Sequence, residues 1–285
     1  MAEQLKIEAP VTDKDELAGS EAPLLDHLIE LRTRLIRAML VIVGLMIVCF
    51  FFAKNIFDLM LIPYRSVVPA EQLADFHLIY TAPQEYFFTQ LSLALFGAVF
   101  IGFPYLAVEI YGFVAPGLYK KERRAFIPYL VATPVFFILG AAMVYFAVLP
   151  MAMRFFQSMQ TEDIQMLVKV SEYLGLAMTL ILAFGICFQL PVVLTLLAQI
   201  DLVNTKALKS GRKYAVVGIL IFAAFITPPD PISQIGLAVP MYLLYELSIL
   251  SVGYVQKRRE AAIAAADAAA AAEAGTTSTD VEKAS

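Results

Sequence analysis

Charged residues are absent from six stretches of the chain, and those stretches have the lengths of helices. Sixteen uncharged residues lie between Arg37 and Lys54, 23 between Glu85 and Glu109, 29 between Arg124 and Arg154, and 28 between Glu172 and Asp201. Two shorter gaps follow, of 16 residues between Lys213 and Asp230 and 15 between Asp230 and Glu246. A helix that crosses a bilayer needs about 20 mostly apolar residues. The second, third and fourth gaps meet that length outright. The first meets it when its helix begins earlier, with Arg34 and Arg37 reaching out to the interface. The pattern predicts spans at about 34–53, 86–111, 125–149, 172–199, 213–227 and 231–252.

The last two gaps are separated by Thr227-Pro228-Pro229-Asp230, a turn sequence. A single re-entrant hairpin is the alternative to two spans here. Basic residues at both ends favour two: Lys206, Lys209, Arg212 and Lys213 before them, and Lys257, Arg258 and Arg259 after. At 1.5 Å per residue, a 16-residue stretch covers about 24 Å of a hydrocarbon core about 30 Å thick. Local thinning of the bilayer beside this pair is expected.

Composition decides what solvent these helices occupy. Sixty per cent of the 285 residues are hydrophobic and 16 % charged, with a mean hydropathy of +0.74. Soluble domains run nearer 45–50 % apolar and about 25 % charged. The expected fold is therefore an all-α integral membrane protein, six transmembrane helices with the last two short. The same figures exclude a disordered chain, a collagen-like chain and a disulfide scaffold. No internal repeat is evident, and nothing points to nucleic acid.

The net charge of −4 is uninformative until the charges are placed. With six spans both termini share one side, and 17 of the 21 basic residues fall there. Only Lys54, Arg65, Arg154 and Lys169 fall on the other. The positive-inside rule puts both termini in the cytoplasm. Residues 1–23 are polar and acidic, lack a signal-peptide core and read as a disordered tail. Residues 257–285 form an alanine-rich second tail that suits a continuation of the sixth helix. Between them, 24–256 is the membrane domain.

Little of the chain suggests enzyme chemistry. Cys49 and Cys187 lie in apolar runs and read as small buried hydrophobes. Two histidines, His27 and His77, are too few for a histidine-built metal centre. No G-x-S-x-G, H-E-x-x-H or Walker A sequence is present. Neither an enzyme nor a cofactor is expected.

Some polar residues are informative. Leu24, Leu28, Leu31 and Leu35 recur at helical spacing before the first span, marking an amphipathic interfacial segment. Glu30 and Arg34 are spaced to pair, so Glu30 is either a solvated ion-pair partner or an acceptor for a cationic ligand. Glu122 stands among Lys120, Lys121, Arg123 and Arg124. It is either a compensating acid or a carboxylate held ready for an arginine fork. Gln189, near the middle of the fourth span, precedes Pro191. It either answers a carbonyl freed by that proline or serves a partner. Glu109 and Glu246 lie nearer the cytoplasmic ends and are less telling. Asp230 and Gln234 lie at the outer turn, where Asp230 can cap the sixth helix directly or through Ser233. Pro104, Pro134, Pro191 and Pro240 suggest kinked helices around a concave surface.

These motifs resemble a known family. "HLIELRTRL", "FVAPGLYKKERR", "FGICFQLP" and "TPPDPISQ" followed by "VPMYLLYE" have the order and spacing of the TatC family, the multispanning signal-peptide receptors of the twin-arginine translocase. The likeness covers roughly Leu24 to Gln256. It implies a cupped six-helix bundle in the bacterial inner membrane, driven by the proton motive force. It implies partners too: TatB-like and TatA-like single-span proteins, folded cargo bearing twin-arginine signal peptides, the bilayer, and further copies of itself. Glu30 and Glu122 match family acids near the twin-arginine site, with Arg32, Phe113, Leu118, Lys120 and Arg124 shaping it. Gln189, Tyr145 and Gln234 are candidate intramembrane polar or partner contacts, and Pro63 and Asp230 candidate outer-side residues. The family commonly has Glu where this chain has Gln189, which can hydrogen-bond but cannot ionise. A secondary transporter of a small solute is the alternative reading. It expects solute uptake by this chain alone, whereas a translocase subunit expects co-purifying single-span partners.

Overall fold

The structure is a computed structural model describing residues 13–70, 73, 76–114, 127–161, 166–200, 202–226 and 231–282. Among these residues there are nine α-helices: α1 (Asp13–Phe51), α2 (Ala53–Arg65), α3 (Glu85–Val114), α4 (Ile127–Met143), α5 (Leu149–Ser158), α6 (Val170–Cys187), α7 (Leu190–Gln199), α8 (Thr205–Ile226) and α9 (Pro231–Glu282). A π-helical turn, Val144–Val148, joins α4 to α5. The all-helical expectation holds among the described residues.

Helix ends depart from the sequence expectation in ways the chain explains. A disordered tail is expected to residue 23, yet α1 begins at Asp13. The third span runs past 149 to Ser158, because Pro150 falls in the first turn of α5, where its missing N–H breaks nothing. Pro104, Pro134 and Pro240 sit inside continuous helices; only Pro191 coincides with a break, between α6 and α7. The alanine-rich segment continues α9 to Glu282.

Among the described residues, five stretches are long and apolar enough to cross a membrane by length and composition: His27–Phe51, Glu85–Phe113, Pro128–Ser158, Val170–Gln199 and Gln234–Ala265. The sixth expected span, α8, has the shortest apolar part, from Tyr214 to Ile226, because its first turns carry Lys206, Lys209, Arg212 and Lys213.

The helices form a row. α1 lies along α3, which also meets α2, α4 and α6; α4 packs on α6 and α7; α7 and α8 both pack on α9. Leu93, Leu149, Leu174, Phe184 and Leu237 are fully buried where these elements meet. α1 is the barest member, with Leu40 66 % and Phe51 80 % exposed. Such a surface belongs in lipid.

In lipid, helices associate through close packing and small residues. A Cβ on Gly140 would lie 2.6 Å from the Phe184 carbonyl oxygen and 2.8 Å from the Phe188 ring. One on Gly185 would strike the Phe137 ring. These two glycines let α4 and α6 touch. At the end where α3 and α6 begin, a parallel bridge pairs Ile79 with Lys169. There the Glu85 carboxylate accepts from the Thr81 N–H at 2.8 Å and from Ser171 Oγ at 2.5 Å, binding the two helix starts together.

The same end holds a proline repaired from a distance. Pro63, inside α2, has no N–H to give the Leu59 carbonyl four residues back. Tyr145, aimed from the π-helical turn, donates its hydroxyl to that carbonyl at 2.7 Å. Tyr173 on α6 donates to the neighbouring Met60 carbonyl, also at 2.7 Å. Tyr64 packs between Phe76 and Tyr173, and burial pushes its phenol above the usual range. α2 is thus fixed by hydroxyls from two other helices.

Gly140→Ala is expected to cost about 1–3 kcal/mol through overpacking, seen as a lowered unfolding temperature in detergent. Gly44→Ala, where a Cβ meets nothing within 4 Å, is expected to leave that temperature unchanged or slightly raised. Tyr145→Phe is expected to cost about 1–3 kcal/mol by orphaning the Leu59 carbonyl. In a Pro63→Ala background, which restores a backbone donor, the loss should shrink to less than half. Equal losses in both backgrounds would contradict the repair.

Candidate functional site

The opposite end of the row, where α1 and α8 enter and α3 and α9 leave, carries the basic residues. Here one face of α1 presents His27, Glu30, Arg34 and Arg37, spaced three or four residues apart. The Arg34 guanidinium donates through Nε (2.9 Å) and Nη2 (2.7 Å) to Glu30 Oε1. Its Nη1 donates to Glu109 Oε2 on α3 at 3.1 Å. One arginine therefore joins two carboxylates on two helices.

Glu109 is the more enclosed acid, with its side chain 9 % exposed against 33 % for Glu30. Tyr105, one turn earlier on α3, donates its hydroxyl to Glu109 Oε1 at 2.7 Å. Arg37 Nη1 stands 3.8 Å from the same oxygen. A Cβ on Gly112 would collide with the Arg34 guanidinium, so glycine there makes room for the cluster. His27 stacks on Phe113, ring centroids 4.2 Å apart and 14° from parallel. His27 Nδ1 lies 3.9 Å from Glu30 Oε2. That oxygen accepts no hydrogen bond among the described residues.

The same parts recur between α8 and α9. Arg212 Nη2 donates to Glu246 Oε2 at 2.7 Å, and Tyr242, one turn before the acid, donates to Glu246 Oε1 at 2.8 Å. Tyr105-x-x-x-Glu109 and Tyr242-x-x-x-Glu246 are one pattern, each on a helix arriving at the basic end and each met by an arginine of an earlier helix. α8 carries no acid, so the second cluster has no counterpart of Glu30.

Gln189 sits at the α6–α7 break. Its backbone N–H turns to the Ile186 carbonyl at 2.9 Å, leaving the Gly185 carbonyl without its helical donor. The Gln189 side chain answers through Nε2, 3.3 Å from that oxygen and 3.0 Å from the Thr133 carbonyl on α4. Its Oε1 is buried with no hydrogen bond among the described residues.

The structure therefore brings Glu30 and Phe113 together, but not Arg32, which is exposed and lies by helical register opposite Glu30 and Arg34. Pro63 and Tyr145 meet through the Leu59 carbonyl. Gln234 donates to the Leu220 carbonyl of α8 at 3.1 Å. Leu118, Lys120, Glu122, Arg124 and Asp230 lie outside the described residues. Sequence reasoning passed over Glu109 as an acid near a helix end. Its signal was available in the repeated Tyr-x-x-x-Glu spacing, though the arginine it serves lies 75 residues away.

Residues 26–240 match the family described as Sec-independent protein translocase protein (TatC). The chain is 39 % identical over 262 residues to the Sec-independent protein translocase protein TatC of Magnetococcus marinus, covering 92 % of this chain and 95 % of that one. It is 34 % identical to the protein of the same name from Escherichia coli, covering 83 % and 91 %. It superposes on the crystal structure of the twin-arginine translocase receptor TatC with a TM-score of 0.72 and 32 % identity, covering 81 % of this chain and 99 % of that one. Motifs, fold and length agree, and the chain belongs to the TatC family.

Proposed function

We propose that this chain is the receptor subunit of a twin-arginine translocase and that Glu30, with Glu122, accepts the paired arginines of a cargo signal peptide. The observation that carries this reading is the state of Glu30. It stands on an amphipathic helix at the basic end, a third exposed, with Oε1 fixed by Arg34 and Oε2 accepting no hydrogen bond among the described residues, His27 Nδ1 lying 3.9 Å from it. An arginine fork needs such an acceptor, and the bond is charge-assisted. Phe113 and His27 supply a flat apolar wall beside it. Leu118, Lys120, Arg124 and Arg32 belong to the same motifs and would shape the approach.

The chain works without catalytic chemistry of its own, in the inner membrane, with six spans and both termini cytoplasmic. The placement of 17 of 21 basic residues supports that sidedness. TatB-like and TatA-like single-span proteins are its partners, in a complex that holds further copies of the chain and draws on the proton motive force. The buried, open Oε1 of Gln189 suits a donor brought by a partner helix, and Tyr145 and Gln234 are further intramembrane contacts of that kind. Pro63 and Asp230 shape the outer side. The membrane domain is residues 24–256, flanked by the two tails.

A photoreactive peptide carrying paired arginines should crosslink to membranes bearing this chain. Glu30→Ala and Glu122→Ala should each lower the yield about tenfold, the size of a lost charge-assisted pair, while insertion is unchanged. Undiminished crosslinking in both variants would overturn the assignment.

A further inference from the structure

We propose that Arg34 is a resident stand-in for the ligand's arginine on Glu30, and that Glu109 is the carboxylate that takes Arg34 over when the ligand arrives. The proposal rests on the reading of Glu30 as the acceptor and concerns how that acceptor is regulated.

A bare carboxylate at an apolar boundary is costly, and an arginine fork is its best partner. Glu30 already has one: two Arg34 donors converge on its Oε1. An incoming guanidinium must share or displace it. Displacement would strand Arg34 unless another acid were ready, and Glu109 is ready. It is already bonded to Arg34 Nη1, held from behind by Tyr105, and nearly closed to outside ligands. Gly112 clears the space the guanidinium occupies against α3. Before binding, one hydrogen-bonded guanidinium is divided between two carboxylates. After binding there are two guanidiniums for two carboxylates, Arg34 on Glu109 and the ligand on Glu30. With Arg37 Nη1 3.8 Å from Glu109 Oε1, each carboxylate has a cationic neighbour at both stages.

The α8–α9 cluster shows what distinguishes an exchange from a clamp. Arg212, Glu246 and Tyr242 repeat the arginine, acid and tyrosine. With no acid on α8 to be released, that cluster only holds two helices together.

Arg34 and Glu109 are positioning residues, and the proposal predicts a sign that a structural role does not. Binding of a fluorescent peptide with paired arginines is measured on the full chain in nanodiscs. Glu109→Gln keeps an acceptor for Tyr105 but loses the charge, so Arg34 leans wholly on Glu30. Affinity should fall about fivefold, the scale of a partly exposed ion pair. Arg34→Gln removes the competitor, and affinity should equal or exceed that of the unmodified chain. Arg34→Lys retains the charge without the fork and should act in the same direction. In the Arg34→Gln background, Glu109→Gln should have no further effect. Arg212→Gln should leave affinity unchanged.

Weakened binding in both Arg34 variants, or losses that add in the double variant, would overturn the exchange. If Glu30→Ala still abolished binding, the receptor reading would stand without it. A peptide that did not bind the unmodified chain would overturn both.

Discussion

Surrounded by apolar side chains, a backbone carbonyl that loses its helical partner can be satisfied only by another part of the chain. This constraint is met visibly at two places. Pro63 deprives Leu59 of a donor, and Tyr145 crosses from another helix to supply one. The α6–α7 break deprives Gly185, and Gln189 turns its own side chain back to replace the bond. Each repair also fixes one element against another, since the second Gln189 bond reaches Thr133 on α4. Irregularity in the backbone thus becomes the means by which the row of helices is held.

Charges at the basic end follow the same logic with larger energies. Glu109 is nearly buried and would be costly alone; Tyr105, Arg34 and Arg37 surround it. Pairing α1 to α3 in this way matters because α1 buries so little of its surface. On the proposed reading of Glu30, the arginine that secures α1 also occupies the carboxylate offered to a ligand, so that helix packing and ligand recognition share one side chain.

Much of the architecture could be read from the chain. The charge-free gaps point to apolar helices, because a single charge inside hydrocarbon is expensive whatever the tertiary context, and five of them overlap described helices long and apolar enough to cross a membrane by length and composition. The early start of α1 and the passage of the third helix through Pro150 were not read. The second depends on a local detail, a proline placed in the first turn of α5. The pairing of Glu30 with Arg34 is legible in their spacing, but the sharing of that arginine with Glu109 is not, since Glu109 and Arg34 meet only after α1 and α3 pack. Gln189 was read as an open choice between repair and partner contact. The geometry shows why: Nε2 performs the repair and Oε1 remains open.

On the proposed reading, the basic end of α1 and α3 recognises guanidinium forks and not merely positive charge. The most direct measurement compares peptides of one sequence, bearing paired arginines or paired lysines, for binding to the reconstituted chain at equal ionic strength. Lysine carries the charge but cannot make two parallel bonds to a carboxylate. The lysine peptide is expected to bind at least about tenfold more weakly, the loss of a bidentate charge-assisted pair. Equal binding of the two peptides would contradict it.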